Sequence, residues 1–517
     1  MGVWWDLATV ILLAGTATVL LASPWFPSQD GPVHLYYVDI LRGLLAHAGP
    51  YSQYFQLKTL LTPYAIEYYS LLALETLFSP AVSEKLMICC YIFTFGFGFR
   101  YLVGAVSSER RNPWTLVGIP FCMNLLVYLG FLNYCLGVAL TLWMSGLWIR
   151  YSERLTPGRV AAILAGFVVM LLAHPIAVAI FLLFLGLHFV VEVSLAAAVA
   201  SWTWIACLRQ RWRPLTLILV MAGTALAWIG MFISDADPGP ALPNFVGQFG
   251  LLRVVKGELT MWQVSPFTSH LYCAGLTVLA GVAGLTLVQH SWRQEGRLCS
   301  VAIAMVATSA ICFTLFCFVP PQINGTWFFA QRFPIFAVMF LIAAAAALRP
   351  SRSWSTATGI LALFVTIGVI AAQWMYVSQI GKQMRPVLEA PAAKPGSIGL
   401  IIAVAKVYPE GLSFDPYMWG GVHYFRRSRA ILANTPWMDQ THILLRPVHP
   451  DRWSFLDPDE EGGPLSKAWD AEPQVLGLDF MVQAGLYDQE LDHAIGRTGL
   501  RPFSDRSEFL RLYRRQP

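Results

Sequence analysis

Long apolar runs alternate with short polar stretches over the first three quarters of the chain. The runs fall at 4–24, 84–106, 114–130, 133–149, 159–173, 176–205, 214–234, 269–289, 299–319, 333–348 and 354–376. A helix crosses a bilayer with about 20 apolar residues. The pattern therefore predicts about eleven transmembrane helices, two of them short. After 376 the pattern changes. Met384–Gly396 is rich in Pro and Ala and reads as a linker, and Ser397–Val407 reads as a buried strand. Asp415–Gly421 and Pro447–Gly463 are turn-rich. The chain thus divides into a transmembrane domain, 1–376, and a small C-terminal α+β domain, 377–517.

Composition agrees with the pattern. Of 517 residues 56% are hydrophobic and 13% charged, where a soluble chain carries about a quarter charged residues. The net charge of +5 then bears on topology and gives no reason to expect a nucleic-acid partner. Trp4–Ala22 is followed by Pro24 and Pro27 rather than a small-residue cleavage site, so it is expected to stay as the first span. The 9 cysteines have neither zinc spacing nor a disulfide framework and read as small buried hydrophobes.

Pro63–Phe78 is apolar but short, and it carries Glu67 and Glu75. If it does not span, Glu109–Arg111, Arg150–Arg159, Arg209–Arg213, Arg293–Arg297 and Arg349–Arg352 all fall on the N-terminal side. The positive-inside rule favours that arrangement. The expectation is a cytoplasmic N-terminus and an outer tail, with Pro63–Phe78 lying on or dipping into the outer surface. The outer face then gathers the first loop 25–83, the His174-Pro175 corner, the loop 235–268 and the loop Pro320–Arg332.

The first loop opens on Ser28-Gln-Asp-Gly-Pro-Val-His-Leu-Tyr-Tyr37. Asp30 can cap a helix whose first turn holds Pro32. On a helical wheel over 31–47, Val33, Tyr37, Ile40, Leu41, Leu44 and Leu45 form one apolar arc that includes His34. Asp30 and His34, four apart, should face protein. Asp39 and Arg42, on the opposite face, read as an ordinary exposed ion pair. An inward carboxylate at the membrane edge is costly unless paired or used, and a neighbouring histidine suits acid–base work. The competing readings are an N-cap for Asp30 and a satisfied interfacial histidine for His34.

Further candidates line the same face. Lys58, Glu67 and the tyrosines at 51, 54, 64, 68 and 69 complete the loop, the tyrosines fitting an interfacial belt. His174 ends one span, and Gly130-Phe-Leu-Asn-Tyr134 makes a tight turn between two others. Gln331 and Arg332 stand just before the tenth span. An arginine there either snorkels to the headgroups or holds phosphate with its forked donors. The chain has no Walker loop, no dinucleotide turn and no zinc motif to bind a nucleotide or structural metal.

With these pieces placed, the layout resembles the C superfamily of glycosyltransferases (GT-C), polytopic inner-membrane or ER enzymes that use polyprenyl-phosphate-linked sugars. The matching features are Asp30 just after the first span, a long first loop with surface helices at about 31–47 and 63–78, many further spans and an outer C-terminal domain. The chain end, Asp479-Phe-Met-Val-Gln483 through Phe509-Leu-Arg-Leu-Tyr513, is similar to the terminal strands of bacterial members. The Asp-Glu pair of protein O-mannosyltransferases is absent, since Gly31 follows Asp30. The Trp-Trp-Asp of oligosaccharyltransferases is met only as Trp4-Trp5-Asp6, at the opposite membrane face.

The resemblance implies a multi-pass protein of the cell inner membrane with a periplasmic tail. It implies an inverting transfer from a polyprenyl-phosphate-linked sugar to an extracytoplasmic glycan, lipid or protein acceptor. Asp30 would be the base with His34 beside it. Arg332 would hold the donor phosphate, and Gln331, His174, Asp39, Lys58 and Glu67 would line the substrate site. No cofactor is required, and a divalent metal (Mg or Mn) is an open option. Two rivals remain. A lipid-linked glycan flippase would want charged residues at mid-membrane, where Glu192 is the main one. A non-catalytic scaffold of the same fold would use the tail as a partner-binding module.

Overall fold

The computed structural model describes residues 2–107, 112–200, 203–233, 275, 277–286, 296–319, 328–403, 420–432, 445–447, 479–484, 495, 500–503 and 510–515. The loop 235–268, most of 415–421 and 448–463 lie outside the described residues. Eight described helices are long and apolar enough to cross a membrane. They match eight of the eleven expected runs. The other three correspond to shorter apolar segments at Pro113–Tyr128, Pro157–Ala173 and Thr277–Thr286. The chain is a multi-pass membrane protein.

The run expected as a helix at 114–130 is instead a 3₁₀ helix, Pro113–Phe121, followed by one α-turn, Leu125–Tyr128. Pro120 inside the segment removes a donor and blocks a regular α-helix. Gly118 sits where a Cβ would come within 2.3 Å of Phe99. Irregular backbone is tolerated at membrane depth only where protein surrounds it, and every residue of 113–121 is buried. Side chains from neighbouring spans take up its loose carbonyls. Tyr91 Oη donates to Cys122 O at 2.8 Å, and Gln373 Nε2 donates to Met123 O at 2.8 Å.

The last helix runs from Arg352 to Leu388, 37 residues. At 1.5 Å per residue it is about 55 Å long, well beyond a hydrocarbon core of about 30 Å. It therefore leaves the bundle as helix through the start of the expected linker. Beyond it lie β2 (Ile398–Ala403), β3 (Ile431–Leu432), β5 (Phe480–Ala484), β6 (Leu500–Pro502) and β7 (Leu510–Arg515), after β1 (Phe55–Leu57) in the first loop and with β4 (Leu445–Pro447) between. The five-stranded sheet has the order β3-β2-β5-β7-β6. β2 is parallel to β3 and β5, while β7 is antiparallel to β5 and β6. A mixed sheet with the helix Val422–Ser428 against it is the expected α+β domain.

The tail sits on the first loop. β1 pairs with β4, joining Phe55 to Pro447 and Leu57 to Leu445. Tyr36 Oη donates to Ala430 O at 3.1 Å and accepts from Leu432 N at 3.0 Å. Loop and tail therefore share one membrane face. An even number of crossings separates them, as eleven spans require.

The turn at 128–131 fixes the start of the corner helix, Gly31–Leu45. Gln29 N donates to Tyr128 O at 2.8 Å, and Asp30 N to Leu129 O at 3.1 Å. Gly130 has φ +84°, and a Cβ there would lie 2.5 Å from Gly31 N. Both the backbone angle and the clash exclude a side chain. Gly130→Ala should cost on the order of 1–3 kcal/mol. Gly158→Ala, at a helical site with open space, should change stability by less than about 1 kcal/mol. Thermal unfolding of the two variants in the same detergent checks the contrast, and equal midpoints would contradict the tight turn.

Candidate active site

The corner helix begins because Pro32 pre-sets its first turn and Val33, Tyr37, Ile40 and Leu41 bury one side. Asp30 is its N-terminal flank and is 4% exposed. Its carboxylate makes no capping bond to the helix, so capping does not explain the residue. Its backbone oxygen instead accepts from Val33 N and His34 N, and Gln29 Nε2 approaches the carboxylate at 3.5 Å. His34 is buried, as the wheel requires. Its Nδ1 lies 3.1 Å from Tyr68 Oη.

Tyr68 comes from the short helix Ala65–Leu74, whose inner face is Ala65, Glu67, Tyr68 and Leu71. The expected surface helix is thus present, with one side packed on protein. Tyr51 and Tyr68 are buried, which corrects their reading as interfacial anchors. Glu67 is fully buried, and Oε2 accepts from Asn133 N at 3.1 Å, capping the span Leu132–Tyr151. Its Oε1 has no hydrogen-bond partner among the described residues. Burial first, then the Glu84 and Asp30 charges, push its pKa up to about 8, against the Asn133 bond. At neutral pH Glu67 is mostly a neutral acid. Glu84, from the start of the next span, accepts from Ser28 Oγ at 3.2 Å.

Arg332 is buried at the foot of its span, 7% exposed. Its guanidinium packs over Phe131 at 4.9 Å, and Nη1 lies 3.1 Å from His174 Nε2. It also interacts with the Tyr64 hydroxyl and lies in electrostatic reach of Asp30. Nε has no partner among the described residues, nor has Gln331 Oε1. Such burial among aromatic rings is not a snorkelling posture. His174 Nδ1 accepts from Ile176 N at 3.1 Å. A neutral ring then carries its proton on Nε2, so two donors stand side by side at that contact.

Asp39 is the site candidate whose surroundings differ most from expectation. Its side chain is 16% exposed, and Oδ2 accepts from Arg426 Nε of the tail at 2.7 Å. The exposed pair with Arg42 is only one edge of a larger network. The wheel placed Asp39 opposite the apolar arc correctly, but the tail covers that side. Lys58 follows β1, half-buried and without an ion pair among the described residues. Glu192, in the C-terminal third of the helix Pro175–Ala200, sits with His188 at 3.7 Å and with Arg211, beyond that helix, at 3.6 Å. That is the place of a tether rather than of a mid-membrane relay.

The structure therefore brings Asp30, His34, Glu67, His174 and Arg332 to one corner and leaves Asp39 and Lys58 outside it. Sequence reasoning missed Ser28, Tyr68 and Glu84 there, and Trp25 and His423 beside it, whose rings stack at 4.4 Å. Among the described residues, no three of His, Cys, Asp and Glu gather as metal ligands.

No family model matches the chain, and no curated protein does. Solved structures do. ArnT from Cupriavidus metallidurans, bound to undecaprenyl phosphate, superposes with a TM-score of 0.53 at 11% identity, over 99% of this chain and 98% of that one. Arabinofuranosyltransferase AftD from mycobacteria gives 0.47 at 14%, over 100% of this chain and 42% of that one. The oligosaccharyltransferase of Archaeoglobus fulgidus, tethered to an acceptor peptide, gives 0.45 at 10%, over 93% and 69%. The end-to-end likeness to ArnT is one of fold and agrees with the GT-C-like architecture expected from the sequence.

The raised pKa of Glu67 has a stability consequence. The folded protein keeps a proton that the unfolded chain releases near pH 4.5. Stability is therefore lost as pH rises from about 4.5 through about 8. Glu67→Gln should match wild type near pH 5 and exceed it near pH 9 by on the order of 2–4 kcal/mol. Paired thermal melts across that range test this, and parallel curves would show Glu67 ionised in the native state.

Proposed function

We propose that the chain is an integral-membrane glycosyltransferase that moves a sugar from a polyprenyl-phosphate donor to an extracytoplasmic hydroxyl. The observation that carries this reading is Asp30, buried in electrostatic reach of a buried Arg332. The setting supports it: this is the fold of ArnT, a protein crystallised with undecaprenyl phosphate. On this reading the N-terminus is cytoplasmic and the tail lies outside the inner membrane.

The reaction is a single displacement with inversion. The acceptor oxygen forms a bond to the anomeric carbon as the bond from that carbon to the phosphate oxygen breaks. Asp30 takes the acceptor proton, and the electron pair of the broken bond stays on the lipid phosphate. Arg332 stabilises that charge. Its Nε–H lacks an acceptor among the described residues, and its Nη1 faces the protonated nitrogen of His174. A shared anion would satisfy both. Gln331 adds a polar group at the same place. Glu67, neutral at physiological pH, can give a hydrogen bond to a sugar oxygen without competing as a base. His34, held by Tyr68, orients the corner.

Asp30→Asn should lower turnover by on the order of 10²–10⁴, with stability within about 1 kcal/mol of wild type because no cap or packing changes. Glycosyl transfer in proteoliposomes, with matched amounts of folded protein, reads both. Near-wild-type turnover would remove Asp30 from the mechanism.

Arg332→Lys tests the other half. An ammonium cannot reproduce the guanidinium fork. Binding of undecaprenyl phosphate should weaken by roughly tenfold or more while expression stays level. Equal affinity in the two proteins would leave Arg332 a packing role only.

A further inference from the structure

Four charged groups close a ring where the tail meets the first loop. Asp39 Oδ2 binds Arg426 Nε at 2.7 Å, and Arg426 Nη2 binds Glu75 Oε1 at 3.2 Å. Glu75 Oε2 binds Arg42, and Arg42 Nη1 lies 3.8 Å from Asp39 Oδ1. Charges alternate around the ring, so they cancel in pairs. Three elements meet in it: the corner helix supplies Asp39 and Arg42, Glu75 ends the helix Ala65–Leu74, and Arg426 belongs to the tail helix.

The two arginines are not equivalent. The Arg42 side chain is 42% exposed, whereas Arg426 is 5% exposed and Glu75 is fully buried. Water screens the Arg42 edge and weakens it. The Arg426 edge is dry, and removing its cation would leave two carboxylates with only the water-screened Arg42. A forked guanidinium can hold both helices at once; an ammonium cannot. His423, one turn earlier, is kept neutral by burial and by Arg426 itself, with its pKa down at about 3.

We propose that Arg426 is a positioning residue through which the C-terminal domain sets the corner helix, and with it Asp30. Asp39 stands nine residues beyond Asp30, a lever of about 13 Å. A tilt of about 5° around the ring would move Asp30 by about 1 Å, enough to cost on the order of 10²-fold in rate. Tyr36, bonded to both Ala430 and Leu432, and the β1–β4 pair hold the same helix and strand to the tail. They fix its distance, while the ring ties its far half to the second loop helix. The catalytic consequence rests on the role proposed above for Asp30; the placement of the helix does not.

The experiment uses the full chain in proteoliposomes as wild type, Arg426→Lys and Arg426→Gln. Amide exchange over 31–41 is read first. It should speed up by about tenfold or more in Arg426→Gln, and less in Arg426→Lys, as local opening becomes easier. Transfer kinetics are read second. Turnover should fall on the order of 10- to 100-fold with the donor KM held within about threefold, and Lys should recover part of the loss. Unchanged exchange in the corner helix of Arg426→Gln overturns the proposal whatever the activity. So does unchanged turnover in a variant whose helix has loosened. If wild type transfers no sugar, the functional reading fails, and the exchange data still decide the positioning claim. Should Arg426→Gln not fold, Asp39→Asn opens the same ring while leaving Arg426 on Glu75, and the same two readouts apply.

Discussion

A carboxylate at the edge of hydrocarbon must find replacements for the water it gives up. That constraint organises the membrane face on which the first loop meets the tail. Asp30, Glu67, Glu75 and Glu84 are all buried there, and each draws a different part of the chain inward. Glu67 reaches the N-terminus of a span and caps it at Asn133. Glu84 holds Ser28, which fixes the segment leading to Asp30. Glu75 recruits two arginines, one from the tail. Asp30 itself is pinned through its backbone by the turn at Gly130. The bundle, the first loop and the C-terminal domain are thus joined by charges that none of them could bury alone.

Most of the bundle was legible because lipid imposes a simple rule. Backbone polar groups must pair within the segment, so long apolar runs become helices. The exceptions fall where protein replaces lipid. The segment 113–121 reads as a span by hydropathy, yet its prolines make it 3₁₀, and side chains such as Tyr91 and Gln373 supply what the helix would have. Hydropathy carries no record of those partners. The last helix shows the opposite case. Its apolar stripe ends near 376, but Val377, Ile380, Met384 and Val387 remain buried against protein, so the helix persists after lipid has ended.

The site was legible only where its partners are local. His34 faces inward, as the 3.6-residue period of its own helix dictates. The cap expected of Asp30 is absent, because a free N-cap is a property of an isolated helix and this one starts against the turn at 128–131. Asp39 was misjudged for a similar reason. Its near neighbour Arg42 is visible three positions along the same face, whereas Arg426 lies 387 residues away in sequence. Tyr68 was assigned to the membrane interface, since a tyrosine-rich loop looks alike whether its rings meet lipid or a buried histidine.

The carboxylates of this corner also differ in what chemistry they leave open. Asp39 and Glu75 each face two guanidinium groups. Both are thereby committed to holding the first loop and the tail together. Burial pushes the pKa of Glu67 up to about 8, so it already holds its proton near neutrality and is a poor base. Asp30 stands apart from both arrangements, buried at the start of the corner helix and within electrostatic reach of Arg332. On the proposed reading, environment rather than residue type separates the group that accepts a proton from those that hold the fold together. The ring that fixes the helix and the acid that caps the neighbouring span are what keep that separation in place.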